Sequence, residues 1–231
     1  MSSTIAVVGA GPGLGRAIAR RFGAAGHPVA LISRTRAKLQ PIADSLAAEG
    51  ITAGVYPADV TDASALTGAL ESAAADLGPI GVLSYSPAAT WTHDGGGLPD
   101  TAALGYTAAL ETTPESARAQ FDLIVGGALT AAAAVLPAMR EAGEGALLFT
   151  TGASTFLPIP ALGNAAIAQA GLRQWANTVQ GDLAAEGVYV GHLCVGVAIV
   201  PGGGEGDPDA LADRWYRLFQ ARDAFEATVG F

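Results

Sequence analysis

The residues best suited to chemistry stand at the beginning of the chain. Thr4-Ile5-Ala6-Val7-Val8 runs into Gly9-Ala10-Gly11-Pro12-Gly13-Leu14-Gly15 and then into Arg16-Ala17-Ile18-Ala19-Arg20. An apolar strand, a glycine turn and a helix start in that order make an anion site. The glycines allow a tight turn and a close approach of backbone to a pyrophosphate, and the helix N-terminus offers unpaired N–H groups at the positive end of its dipole. Gly9, Gly11, Pro12, Gly13, Leu14 and Gly15 are the expected contacts of a dinucleotide; the alternative is a purely structural turn. The end of the second apolar run chooses between dinucleotides. An acid there accepts hydrogen bonds from the ribose and repels a 2′-phosphate, whereas this chain has Ser33 followed by Arg34-Thr35-Arg36 and Lys38. A guanidinium binds phosphate oxygens and lies across an adenine face. Arg34, with Ser33 or Thr35 as hydroxyl donors, therefore points to NADP(H) over NAD(H), unless these bases are only solvated surface charges. Asp59 and Val60, just past the third strand, are placed to reach the adenine edge, although Asp59 competes with Asp62 for capping the next helix.

A second set of residues could move protons. Tyr85 closes the fourth apolar run, His93 and Tyr106 follow in a glycine- and threonine-rich passage, and Ser154 follows the fifth run, with Thr151 competing for the same place. Each also has a structural reading: Tyr85 as a wall residue, His93 and Tyr106 as loop surface, Ser154 as a partner for backbone at a strand end. Cys194 is the only cysteine, and neither His27 nor His192 has the neighbours of a metal site, so no metal is expected.

These residues need a scaffold that gathers strand ends. Strands are expected at Thr4–Gly9, Pro28–Ser33, Thr52–Tyr56, Ile80–Tyr85, Gly145–Thr151, Val188–Val195 and near Ala224–Val229. Helices are expected at Gly13–Gly26, Arg36–Glu49, Ala63–Leu77, Pro114–Ala142, Asn164–Glu186 and Pro208–Phe219. Alternation of this kind, with nearly wholly apolar strands, predicts an α/β fold of the Rossmann type: a doubly wound, mainly seven-stranded parallel sheet covered on both faces, in a single domain over residues 1–231. Asp62 and Thr113-Pro114-Glu115 read as helix starts. The passage between Trp91 and Thr112 fits no element and is expected to wall a substrate pocket or to be a variable surface loop. Pro201 to Gly206 is expected to be a flap or an exposed linker.

Composition narrows the partners. The net charge of −9, from 21 acids against 12 bases, argues against nucleic acid or an anionic membrane. Yet half of the bases lie between Arg16 and Lys38, which suits a small phosphorylated ligand. With no signal-like start, and with Ala128 to Leu136 too short to span a bilayer, a cytoplasmic protein without a membrane partner is expected.

The whole chain resembles the short-chain dehydrogenase/reductase superfamily. Five passages carry the resemblance: the glycine motif with Arg34, Asp59-Val60, Val135-Leu136-Pro137-Ala138-Met139, Leu147-Leu148-Phe149-Thr150-Thr151-Gly152-Ala153-Ser154, and Leu183-Ala184-Ala185-Glu186-Gly187-Val188-Tyr189-Val190. The resemblance implies an NAD(P)-dependent oxidoreductase acting on a carbonyl or hydroxyl group of a small molecule. It also implies a homodimer or homotetramer joined through helices 114–142 and 164–186. Ser86 falls in the family's N-N-A-G segment, here Tyr85-Ser86-Pro87-Ala88, and is implied as a cofactor contact. The proton-transfer half departs from the family. Its Tyr-x-x-x-Lys pair falls on Ala165 and Gln169, and Lys38 is the only lysine in the chain. Gln169 can hydrogen-bond a ribose but cannot depress a neighbour's pKa as a cation does. Three readings follow: a divergent NADP(H)-dependent oxidoreductase whose proton donor is another group, with Tyr85, Ser154 and His93 as candidates, or whose substrate needs little acid assistance, such as an iminium; a catalytically silent NADP(H)-binding sensor or scaffold; or a non-redox isomerase or lyase reusing the pocket.

Overall fold

The computed structural model describes residues 2–87 and 101–231. Their strands form one seven-stranded sheet in the order β3-β2-β1-β4-β5-β6-β7, every pair parallel. In chain order the strands are β1 (Thr4–Val8), β2 (Val29–Ser33), β3 (Ala53–Pro57), β4 (Ile80–Tyr85), β5 (Gly145–Gly152), β6 (Val188–Val195) and β7 (Glu226–Val229). The helices are α1 (Leu14–Gly23), α2 (Arg36–Ala48), α3 (Ala63–Leu77), α4 (Pro114–Phe121), α5 (Gly127–Ala142), α6 (Gly163–Ala185) and α7 (Pro208–Ala221). This is the expected Rossmann-like α/β fold. Because all strands run the same way, their C-terminal ends share one edge, and the order reverses beside β1, where ligands bind in open α/β sheets.

The helices cover both faces, which is why the strands need no polar side. Residues of β1, β4, β5 and β6 alternate between two cores. One, against α3, α5 and α6, holds Leu66, Tyr85, Ala131, Phe149 and Leu172. The other, against α1, α2 and α7, holds Ile18, Phe22, Leu39, Leu148 and Trp215. The C-terminal aromatic group belongs to this second core: Trp215 is buried and donates to Thr150 Oγ1 at 2.9 Å, while Tyr216 packs edge-on to Phe22.

Asp62 starts α3 by accepting from the N–H groups of Ser64 and Ala65, and Thr113 and Ser116 close a reciprocal cap around Pro114 at the start of α4. The expected helix Pro114–Ala142 forms as one helical run that α4 and α5 share. Asp122–Gly126 forms a π-helical turn between α4 and α5. The run is long and apolar enough to cross a membrane by length and composition alone, yet α5 lays Ala128, Ala131, Ala132, Val135 and Met139 into the core. Pro201 to Gly206 is tied down: Asp207, the cap of α7, accepts from Gly202 N–H at 2.7 Å, and Val200 N–H donates to Gly206.

Candidate functional site

The glycine turn sits where β1 meets α1, beside the C-terminal end of β4. Gly9 has a φ of +94°, and a Cβ there would come within 2.7 Å of the Ser86 carbonyl and Pro87 nitrogen, so only glycine fits under that strand end. Gly15 is similarly close to the backbone of Gly9 and Ala10, at 2.8 Å, which seats α1 on the turn. Gly13 differs: nothing lies within 4 Å of where its Cβ would be. It caps α1 with no side-chain hydrogen bond, and the first turn of α1 carries no acid. A helix N-terminus left uncapped and facing open space is an anion cradle.

Half of the chain's bases cluster in the sequence here, but the structure divides them. Arg20 pairs with Glu49 and Arg21 with Asp213, and Arg36 donates to the Val55 carbonyl. Arg34 is exposed and makes no ion pair among the described residues. Ser33 ends β2, and Thr35 opens α2 without its side chain capping it. Asp59 does not cap α3, since Asp62 does. It accepts from the Thr61 N–H at 3.0 Å and the Thr61 hydroxyl at 2.8 Å; these bonds, with a smaller contribution from Arg34, hold its carboxyl below its ordinary value. Val60 is buried next to it and Ser86 is half-buried, its N–H on the Val8 carbonyl.

The proton-moving candidates separate. Tyr85 does not face the cleft. It is 1% exposed, packs beneath α5, and donates its hydroxyl to the Leu123 carbonyl at 2.6 Å within the π turn. Burial pushes its pKa far up. A Cβ on Gly127 would overlap the Tyr85 hydroxyl and come within 2.8 Å of the Val60 carbonyl, so a glycine at this point lets α5 lie on the tyrosine. The geometry thus corrects the expectation for Tyr85: alternation along β4 turns it into the helix layer, and its proton is committed to backbone. His93 lies outside the described residues, as does the triple glycine. Tyr106 is half-buried, and burial raises its pKa.

Ser154 is buried just past the end of β5, against Gln169 of α6. Gln169 Oε1 accepts from the Gly152 N–H at 3.1 Å and the Ser154 hydroxyl at 3.0 Å, and the Thr155 hydroxyl oxygen lies 3.3 Å away. That fixes which end of the amide is oxygen, and no acceptor for its NH2 stands among the described residues. Ala165, four residues earlier on α6, is fully buried beside a clamp that sequence reading missed. Asn164 accepts from the Thr107 N–H at 3.0 Å and donates to the Gly105 carbonyl at 3.0 Å and the Ser116 carbonyl, pinning the segment after the undescribed residues onto the start of α6. The sequence held a signal for this in Asn164 next to two helix starts, but not its partners.

A further polar group lies behind Gln169. Thr151, His192 and Glu226 are hydrogen-bonded in series and Arg173 pairs with Glu226. Among the described residues no cluster of His, Cys, Asp or Glu could hold a metal.

This arrangement of glycine turn, strand order and site edge agrees with sequence comparison, in which residues 3–203 match the short chain dehydrogenase family. The chain belongs to that family. It is 33% identical over 193 residues to galactitol 2-dehydrogenase (L-tagatose-forming) of Cereibacter sphaeroides, covering 83% of this chain and 69% of that enzyme. A shorter match, 35% over 77 residues, links it to 2,3-dihydro-2,3-dihydroxybenzoate dehydrogenase of Bacillus subtilis (strain 168), covering 33% of this chain and 30% of that enzyme. Among solved structures, a metagenomic short-chain oxidoreductase in complex with NADP superposes with a TM-score of 0.80 at 22% identity, covering 99% of this chain and 95% of that one, a likeness of fold.

Proposed function

We propose that this short-chain dehydrogenase family member is an NADP(H)-dependent oxidoreductase that interconverts a carbonyl and an alcohol on a small organic molecule. The observation that carries the reading is the uncapped start of α1 over open space at Gly13, combined with an unpaired Arg34 at the end of β2. The residues present fit the cofactor. Gly9 to Gly15 would hold the pyrophosphate; Arg34, with Ser33 or Thr35, would hold the 2′-phosphate; Asp59, Val60 and Ser86 would border the adenine side and the strand ends. The free NH2 of Gln169 would donate to the nicotinamide ribose. Bound there, the nicotinamide supplies hydride chemistry, while the protein orients the substrate and manages the proton. Ser154 is the hydroxyl best placed to hold a substrate oxygen. The same reading takes the chain as one domain, cytoplasmic, assembled as a homodimer or homotetramer through the faces of α4, α5 and α6.

The test is NADPH binding by fluorescence, followed by turnover on a panel of small ketones, polyols and an iminium. Saturable binding with turnover of one class supports the reading, and absence of NADPH binding refutes it. A second reading, a catalytically silent NADP(H) sensor, is favoured by one observation: Ala165, on the family's tyrosine position, has no proton and is fully buried. Tight NADPH binding with no turnover anywhere on the panel would select it.

A further inference from the structure

Behind the cleft runs a chain of proton carriers that cofactor binding leaves unused. The Thr155 hydroxyl donates to Thr151 Oγ1 at 2.7 Å; Thr151 Oγ1 is 2.8 Å from His192 Nε2; His192 Nδ1 is 3.0 Å from Glu226 Oε2. Strand geometry builds this row. Thr151 lies two residues past Phe149, the register partner of His192, so the two side chains share the α6 face, and Glu226 is the register partner of His192 on β7. Arg173, one turn after Gln169 on α6, clamps the Glu226 carboxylate with two nitrogens, the Nη2 contact at 3.0 Å.

The direction of the hydrogen bonds follows from what each group can do. An ionised carboxylate only accepts, so His192 carries its proton on Nδ1 and leaves a lone pair on Nε2. Thr151 donates to that lone pair and accepts from Thr155. Thr155 has one proton and three oxygens in reach, Thr151 Oγ1 at 2.7 Å, the Gly152 carbonyl at 2.8 Å and Gln169 Oε1 at 3.3 Å; with the Thr151 proton on the imidazole, Thr151 Oγ1 is the nearest of them to accept it. His192 is fully buried, whereas Thr155 is half-buried at the cleft edge, 3.3 Å from Gln169 Oε1 and adjacent to Ser154. A hydroxyl, an imidazole and a carboxylate in this order let the imidazole take up a proton as the hydroxyl passes it on.

Resting on the oxidoreductase reading, we propose that His192 accepts the proton released in alcohol oxidation, reached from the substrate through Thr155 and Thr151, in place of a tyrosine on α6. The substrate O–H proton passes to Thr155 Oγ1, the Thr155 proton to Thr151, and the Thr151 proton to His192 Nε2. A nicotinamide bound here would be the two-electron oxidant and take the carbinol hydrogen as hydride, so that the alcohol becomes a carbonyl while the imidazolium rests against Glu226. Reduction runs the same row in reverse. Thr155 touches the substrate; Thr151, His192 and Glu226 act through it. The groups around the ring are Thr151 from β5, Glu226 and the stacked Phe225 at β7, Arg173 from α6, and Phe156, while Cys194 of β6 donates to the Gly152 carbonyl. Burial and Arg173 disfavour the imidazolium and Glu226 favours it; burial prevails, so the ring is held below its ordinary value and is ready to accept at neutral pH.

The experiment joins a spectroscopic readout to a kinetic one on the full chain. Long-range proton–nitrogen NMR of 15N-labelled protein, with His192 assigned from His192→Gln, reads its tautomer and titration. NADP+-dependent oxidation of a secondary-alcohol panel reads the pH profile. The expected results are an Nδ1–H tautomer and an oxidation rate that rises with pH through the His192 titration. Glu226→Gln should move both to lower pH by the same amount. Thr151→Val should lower oxidation by about 10²-fold or more and remove that limb while keeping NADPH binding, and Thr151→Ser should restore it. An Nε2–H tautomer, a rate limb that stays put when the titration moves, or full activity in Thr151→Val overturns the relay and leaves the oxidoreductase reading standing. A wild type that binds NADPH yet oxidises no alcohol overturns that reading, and the relay with it.

Discussion

Replacing Tyr85 with phenylalanine separates the two roles this residue could have, because they predict opposite effects. The phenol is 1% exposed and its hydroxyl spends its proton on the Leu123 carbonyl at 2.6 Å. Tyr85→Phe deletes that bond and leaves the carbonyl of the π turn without its O–H partner. A lost hydrogen bond is worth about 0.5–1.5 kcal/mol, and a buried acceptor left unpaired raises the cost to about 1–3 kcal/mol. For a chain of this size each 1 kcal/mol lowers Tm by roughly 2–4 °C, so a fall of roughly 2–12 °C is expected by calorimetry. Turnover per folded molecule and NADPH affinity should stay within about twofold of wild type, because only about 0.4 kcal/mol separates rates that differ twofold. Gly127→Ala supplies the cross-check. Its methyl would overlap the Tyr85 hydroxyl, an overpacking worth about 1–3 kcal/mol. Part of that cost should vanish when Tyr85→Phe is added, so the two changes are not additive. An unchanged Tm together with lost turnover would refute the placement and return Tyr85 to the cleft.

Arg34→Ala should weaken NADPH by about tenfold to a hundredfold, the worth of charge-assisted hydrogen bonds, and NADH far less; equal loss in paired fluorescence titrations contradicts the 2′-phosphate assignment. Gly9→Ala combines a left-handed backbone with contacts of 2.7 Å to Ser86 and Pro87, so cofactor binding and Tm should fall together, whereas a stable, binding-competent variant contradicts the turn geometry. Asp62→Ala should cost about 1 kcal/mol as a lost helix cap, read by urea unfolding, with cofactor affinity unchanged. For pH, burial opposes ionisation of Glu226, but hydrogen bonds from Arg173 and His192 outweigh it and hold the carboxyl below its ordinary value; His192 is held below its own by burial. Both folded pKa values are depressed, so their stabilisation is complete above the unfolded values and fades as pH falls, from 6.5 downward for His192 and from 4.5 downward for Glu226. Stability measured from pH 8 to 2 should therefore drop in two stages, and His192→Gln should lack the upper one.

Much of the scaffold was legible in the sequence because local signals agree there. The limits of β4, β6 and α3 coincide with the expected Ile80–Tyr85, Val188–Val195 and Ala63–Leu77, where apolar runs are bounded by turn residues or by the Asp62 cap. Helix 114–142 was legible as one run, but not the π turn at Asp122–Gly126 inside it, whose Leu123 carbonyl accepts from Tyr85 on β4. The cofactor edge was legible from glycines whose spacing carries its own geometry. The proton half was not. Tyr85 was placed at the right strand end, but which face it takes depends on the two cores that the helices build. His192 meets Glu226 across 34 positions through the register of β6 with β7, and nothing in either segment announces the other. Thr155 and Asn164 gain their roles only from partners supplied by α6 and the segment before α4.

The measurement that bears most directly on the central claim is a crystal structure of the chain with NADPH. The account predicts pyrophosphate over Gly11 to Gly15 at the start of α1, the 2′-phosphate on the Arg34 guanidinium, and the nicotinamide ribose on the Gln169 amide, with Ser154 and Thr155 facing the reactive ring and Tyr85 still bonded to Leu123. Nucleotide bound elsewhere, or a 2′-phosphate turned away from Arg34 with the nicotinamide end shut out of the Ser154–Gln169 cleft, would contradict it.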